Sequence, residues 1–359
     1  MKVKDLRILK LLPLAIILVI TIGFVYFTGQ LERNPYYNEQ IQARNLMEES
    51  MKAVKAYKEE AGLLIYDYDY FNTGLLGEEY NELTTSLGSL EAKRTSANPD
   101  MAALLVKMFH QVGLKAKDHL AVGFSGSFPG LNLAVLAAAE AMDLDLTIIS
   151  SFGSSTYGAN QEGFSFPIIL NRLYQDGYSK YKNDLVSLGG DDDVLKEKPA
   201  DLVKSIVDQY ESLAFNLYIQ EDFKNNVKDK VDFYEKKKVD AYIAVGGNIS
   251  FLGIYEKDFV TKQGILTTPR LRRQSYTYDY GILDYFLEKD IPTIHLLNLK
   301  KIVSDYGLPF DPIRWPEPGQ SIIYYEKTYK TYPAFISLGF SALYLIFIAK
   351  DRYKDDKNN

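Results

Sequence analysis

Three short stretches of small polar residues hold the donors from which a binding or catalytic site would be built. They are Gly123-Phe124-Ser125-Gly126-Ser127-Phe128-Pro129, Ser151-Phe152-Gly153-Ser154-Ser155-Thr156-Tyr157-Gly158 and Gly246-Gly247-Asn248. Each follows an apolar run of strand type, and ligands of doubly wound sheets bind beyond the carboxyl ends of the strands. Pro129 suits the first turn of a helix, which leaves the amides of Gly126, Ser127 and Phe128 to face an anion while Ser125 and Ser127 add hydroxyls. A carboxylate or phosphate fits such a loop. The plainer alternative is that Ser127 caps the helix and the glycines make a tight turn. The expected ligand-binding set is Ser125, Gly126, Ser127, Asn132, Ser154, Ser155, Thr156, Gly246, Gly247 and Asn248. Arg270, Arg272 and Arg273 join it as the one concentrated basic segment, whose guanidinium forks suit carboxylates. A solvated loop or a membrane-proximal anchor would explain the same arginines.

Nucleophilic catalysis is the sharper reading of the first loop, since strand, serine and helix resemble a nucleophile elbow. Ser127 stands where the second glycine of that pattern belongs, and a base for Ser125 or Ser127 must come from His110, His119 or His295. His295, on a strand, is the candidate. With no complete nucleophile–base set, the residues favour a binding protein over an enzyme, and no cofactor is expected. Three dispersed histidines and no cysteine leave no metal site and exclude disulfides and thiolate chemistry. Asp67-Tyr68-Asp69 sits in the alternating run Ile65 to Tyr70, which reads as a strand or an extended edge rather than a sugar-transferase motif. Asp191-Asp192-Asp193 reads as a solvated turn.

These loops need a sheet to position them. His119 to Phe124, Leu144 to Ser150, Leu185 to Leu188, Asp240 to Val245 and Ile291 to Leu297 read as strands, and helical segments fall between them, beginning with the Ala-rich Leu131 to Met142. Alternation of this kind gives an α/β fold, a doubly wound and mostly parallel sheet of Rossmann-like type. Asn98-Pro99-Asp100 opens a further helix. Pro199 to about Lys238 reads as two packed helices broken near Gln220, and Asn38 to Glu60 as a stalk-like helix.

The chain has 359 residues, 47% hydrophobic and 25% charged, which is globular composition. Two apolar segments bracket it. Leu11 to Leu31 and Thr331 to Ala349 carry no charge, and Lys2, Lys4, Arg7 and Lys10 precede the first while Lys350, Arg352, Lys354 and Lys357 follow the second. The positive-inside rule then places both termini in the cytoplasm and the body outside. The expected division is a 1–10 tail, an 11–31 span, a 32–97 stalk and extended segment, a 98–308 α/β domain, a 309–330 Pro-containing linker, a 331–349 span and a 350–359 tail. The net charge is −6, and the body without its tails is more acidic still, which argues against a nucleic-acid partner.

The anchor, the exterior stretch Gly123-Phe124-Ser125-Gly126-Ser127-Phe128-Pro129-Gly130-Leu131-Asn132, the Ser/Gly run at 151–158 and the final span together resemble the bacterial membrane family called poly-gamma-glutamate system protein. The resemblance covers nearly the whole chain and brings no catalytic residues with it. It implies a two-pass protein of a bacterial plasma membrane, an accessory in making or exporting poly-gamma-glutamate, with the polymer and synthase or export subunits as partners. The alternatives are a membrane-anchored serine hydrolase or transpeptidase acting on the polymer or cell wall, and a non-catalytic scaffold for synthase subunits.

Overall fold

A computed structural model describes residues 11–254, 263–267 and 276–358, with side chains through residue 350. In chain order the elements are α1 (Leu12–Phe27), β1 (Gln30–Arg33), α2 (Tyr37–Glu60), β2 (Thr84–Ser86), α3 (Leu90–Ser96) and α4 (Asp100–Gln111). There follow β3 (His119–Phe124), α5 (Pro129–Ala141), β4 (Asp145–Ser151), β5 (Ser154–Ser155), α6 (Phe166–Gln175), β6 (Leu185–Ser187), α7 (Ala200–Ser212) and α8 (Phe223–Tyr234). The last are β7 (Ala241–Val245), α9 (Ile249–Leu252), β8 (Gly264–Leu266), α10 (Gly281–Glu288), β9 (Thr293–Leu296), α11 (Leu299–Tyr306), β10 (Tyr325–Thr328) and α12 (Tyr332–Asn358).

Two compact units result, residues 35–324 and the paired chain ends 1–34 and 325–359. The larger one holds a six-stranded sheet in the order β6-β4-β3-β7-β9-β8. The first five strands run parallel and β8 closes the edge antiparallel to β9. From β3 the chain builds outward through β4 to β6, then returns to the other side of β3 for β7 and β9. That reversal is a topological switch point, where loops on neighbouring strands diverge and leave a crevice. The mixed α/β architecture with a largely parallel sheet is as expected, and the order is compatible with a Rossmann-like fold.

The strands form because both faces of the sheet are covered. On β3 every residue is buried: Ala121 faces Tyr242, Val227, Val231, Tyr234 and Phe286, while Leu120, Val122 and Phe124 point to the opposite side. Gly123 fits there because a side chain would strike the Phe251 ring and the Tyr242 hydroxyl. Helix α2 is not a stalk. Its Ala43, Met47, Met51, Val54 and Tyr57 are buried and the helix packs on α4 and α5, so the unit starts at Pro35 rather than at 98. Arg44 of α2 bonds Asp100, the fully buried first residue of α4, which also accepts from Ser321 and from Tyr324 at 2.7 Å. The expected linker is thereby tied to the body, and Arg94 and Asp311 add a two-bond ion pair at 2.6 Å. Residues Ile65 to Tyr70 form turns instead of a strand, because Asp69 accepts from the amides of Thr73 and Gly74 and folds the segment back. The break near Gln220 is present, separating α7 from α8.

In the smaller unit β1 pairs antiparallel with β10, and α1 packs on α12. Tyr332–Lys350 of α12, at 19 residues, is the one described helix long and apolar enough to cross a membrane. The first expected span is shorter than 11–31. Helix α1 ends at Phe27, and Gln30 and Leu31 belong to β1, so its 16 residues cover about 24 Å of a roughly 30 Å hydrocarbon core.

Candidate functional site

A cleft with a volume of about 1260 Å³ opens in the larger unit, against the ends of β3, β4, β7 and β9. Ser125, Ser127 and Phe128 after β3, Ser151, Gly153 and Ser155 after β4, and Gly247 and Asn248 after β7 form its floor. The segment Thr85 to Ala92 supplies one wall, and Asn298 to Lys300 with Phe310 supply another. The first and third loops meet where Ser125 donates its amide to the Val245 carbonyl, and Gly246 donates its own to Leu296 at the end of β9. The second joins them through the Gly126 amide, which donates to the Gly153 carbonyl at 3.0 Å.

The first loop differs from the expected anion nest. Besides the Gly126 amide, that of Ser127 is engaged, by Ser125 Oγ at 3.3 Å, which leaves Phe128 alone of the three. Nor does Ser127 cap α5; the cap residue is Phe128, and Ser127 Oγ instead accepts from the Ser155 amide at 3.1 Å. Crosslinking to a neighbouring strand has displaced local capping. Asn132 is fully buried and spends its amide on the Ser125 carbonyl at 2.9 Å, so it fixes the loop from behind. Ser154 Oγ donates to the Gly126 carbonyl and Thr156 Oγ1 to the Gly88 carbonyl, so both bind backbone. The hydroxyl protons of Ser125 and Ser127 have no acceptor among the described residues and remain for a ligand, while that of Ser155 is free only when Lys93 is protonated and donates to its oxygen.

Gly246, with φ near 88°, is in the left-handed region, and a Cβ there would collide with Ser125 Oγ. Gly246→Ala is expected to lower unfolding free energy by about 1–3 kcal/mol, read as the shift of a urea midpoint, and to displace Ser125 from the cleft wall.

His295 lies under this floor, fully buried, with Nδ1 facing the Gln263 amide at 3.1 Å and Nε2 the Gly246 carbonyl at 3.3 Å. A neutral ring that accepts at Nδ1 and donates at Nε2 satisfies both contacts, which commits the nitrogens a general base would need. His295, the one base candidate for a Ser–His pair, is therefore a structural histidine. His119 is likewise held, by the Lys238 carbonyl and Thr147 Oγ1, with burial lowering its pKa. Arg270, Arg272 and Arg273 lie outside the described residues.

The acidic triplet is a solvated turn at Asp191 but not at its third residue. Asp193 is fully buried, pairs with the equally buried Lys230, and accepts from Ser187 Oγ, Asn226 Nδ2 and Asn248 Nδ2. Burial pulls Lys230 down against the opposing attraction of Asp193. Asn248 Oδ1 accepts from the Ser250 amide and hydroxyl at 2.8 Å, so its side chain is a strut between the ion pair and the cap of α9. It presents its backbone to the cleft, not a free carboxamide.

One residue of the site carries no signal in the sequence. Lys93 of α3 is 2% exposed and reaches Ser155 Oγ at 2.7 Å. Helix α3 has seven residues, too few for periodicity to show that a lysine points inward, and the only local mark is Ser89, whose side chain caps it through the Ala92 amide. Among the described residues no cluster of three His, Asp or Glu could hold a metal ion. No protein-family model matches the chain, and no curated protein matches it.

Proposed function

We propose that the chain is a membrane-tethered accessory protein of a poly-gamma-glutamate synthesis or export system, whose α/β body holds carboxylate-bearing segments of the polymer in the switch-point cleft. The carrying observation is the pair of uncommitted hydroxyl protons on Ser125 and Ser127, with the Ser155 hydroxyl beside them, converging on one cleft with the Lys300 side chain on its wall. Hydroxyl and ammonium donors on a groove of this size suit an extended chain whose repeating group accepts hydrogen bonds. The acidic balance of the chain, −6 overall, weakens retention of a polyanion and suits transit over storage.

The two-pass topology belongs to this proposal. Helix α1 shows Leu18, Val19, Ile20, Ile22 and Phe24 on its outside, packs on the longer α12, and shares the β1/β10 pair with it. Lys327 lies 4.4 Å from the Tyr26 ring at the end of α1, an aromatic–cation pair of the kind that marks a bilayer interface. With lysine and arginine at both termini, the proposal has the ends in the cytoplasm and the cleft outside.

Titrating the full chain in detergent micelles with oligo-gamma-glutamate at low and moderate salt tests the ligand. Saturable binding that weakens as salt rises is expected, and charge reversal at Arg270, Arg272 and Arg273 should weaken it further. Heat signals identical to buffer at both salt concentrations would remove the polymer from the proposal.

A further inference from the structure

Lys93 differs from the other two lysines buried among the described residues of the body. Lys230 has Asp193, and Lys58 donates to the Leu76 carbonyl within the field of Asp69 and Glu78. Lys93 has no carboxylate. Its Nζ donates to the Ser127 carbonyl and to Ser155 Oγ, and it lies 3.7 Å from the centre of the Phe128 ring. Burial makes the ammonium costly there although the carbonyl, the hydroxyl oxygen and the ring face each favour it, so a substantial fraction near neutral pH is the neutral amine that a general base requires. Burial alone lowers its pKa to about 7.

The other half of the geometry is Ser155, which lines the cleft in front of Lys93. Gly88 stands across from both: a Cβ there would come within 2.8 Å of Ser155 Oγ and 3.3 Å of Lys93 Cε, so glycine keeps the hydroxyl open to the cleft. Ser127 contributes its carbonyl to Lys93, its hydroxyl oxygen to the Ser155 amide, and a hydroxyl proton still without an acceptor. Nucleophile and a donor for developing negative charge thus line the cleft floor, with the base directly behind the nucleophile.

We propose that Ser155 is the nucleophile and Lys93 its general base in an acyl-transfer site that accepts an amide or ester of an acidic acyl chain. The substrate class rests on the polymer reading of the same cleft; the Ser155–Lys93 pair does not. In the first half-reaction neutral Lys93 takes the Ser155 proton while Oγ bonds to the carbonyl carbon, and the π pair moves to the carbonyl oxygen beside the Ser127 hydroxyl. Return of that pair breaks the C–N or C–O bond, and Lys93 gives its proton to the leaving atom. In the second, water or an acceptor amine attacks the Ser155 ester and passes a proton to Lys93, which returns it to Oγ as the product leaves. Nothing is oxidised or reduced.

The ionisable groups around Lys93 are Glu91 and Arg94 on its own helix, with Asp191 and Lys300 on the cleft walls. Glu91 accepts from Ser89 and Arg94 is paired to Asp311, and none of the four bonds Nζ. Ser127 and Ser155, from the loops packed against it, bring only neutral groups.

A fluorophosphonate probe tests the pair on the full chain in micelles without any polymer. Expected is one adduct, located at Ser155 by peptide mass spectrometry, forming at a rate that rises with pH through about 7. Ser155→Ala should abolish the adduct, and Lys93→Met should slow it by about 10²–10⁴-fold while still unfolding cooperatively in urea. No adduct on the folded protein, an adduct at Ser125, or equal rates for Lys93→Met and the parent would overturn the pair. Labelling without polymer binding would sink only the polymer reading, and polymer binding without labelling would sink only the pair.

Discussion

Replacing Lys230 with Met will cost about 3–5 kcal/mol of unfolding free energy, the largest stability loss expected from a single substitution in the body. Lys230 and Asp193 are both fully buried, so removing the ammonium leaves a carboxylate with neutral donors only: Ser187 Oγ at 3.1 Å, Asn226 Nδ2 at 3.2 Å and Asn248 Nδ2 at 2.8 Å. Neutral donors solvate an anion without cancelling its charge. The pair Lys230→Met with Asp193→Leu should recover most of the loss, since an apolar replacement of similar volume removes the charge altogether. Urea midpoints for the parent, each single variant and the double variant give the coupling energy directly. A single-variant loss under about 1 kcal/mol would mean that Asp193 is protonated or hydrated in the folded protein. The same variant reaches the cleft: Asn248 hangs between Asp193 and Ser250, so its backbone on the floor should move and ligand affinity should fall with stability.

Asp193 also shows why part of this molecule is legible in its sequence and part is not. The parallel sheet can be read because β3 and β7 are runs buried on both faces and the Pro129 helix start makes one β-α-β unit evident. Three aspartates in a row carry no such mark, since the lysine that draws the third inward stands 37 residues later on α8. For α2 the periodicity reveals that one face is apolar; only the fold reveals that α4 and α5 cover it. Ser127 was legible as a residue of the site but not in its role, because its oxygen serves the amide of Ser155 on another strand in place of its own helix. Lys93 was not legible at all. A lysine on a seven-residue helix looks solvated until the Ser127 carbonyl and Ser155 hydroxyl are seen to close around it.

The stability of the protein will rise with pH between 7 and about 9.5, against the usual expectation of a maximum between roughly pH 5 and 8. Lys93 titrates at about 7 when folded and near 10.4 when unfolded, so in that window the unfolded chain binds the extra proton. The derivative of unfolding free energy with pH has the sign of protons bound unfolded minus protons bound folded, which is positive here. Below pH 7 both states are protonated and the cost of burying the ammonium is paid in full; above it, folding into the neutral form becomes progressively easier. At 1.36 kcal/mol per pH unit the gain is about 3 kcal/mol by pH 9.5, and Lys58, lowered to about 8 by burial, adds in the same direction from there. Tyrosine ends the rise. Tyr210, Tyr234 and Tyr242 are buried with pKa values pushed up, so above about pH 10 their unfolded forms lose protons that the folded forms keep, and the slope reverses. Urea midpoints of the full chain from pH 6.5 to 10.5 measure the curve. Lys93→Met should be at least as stable as the parent at pH 7, because it no longer buries an ammonium, and its slope between 7 and 8 should fall well below the parent's, to the smaller rise that Lys58 supplies. If the parent is flat over that interval, Lys93 remains protonated in the folded protein, and a base for Ser155 must be sought elsewhere.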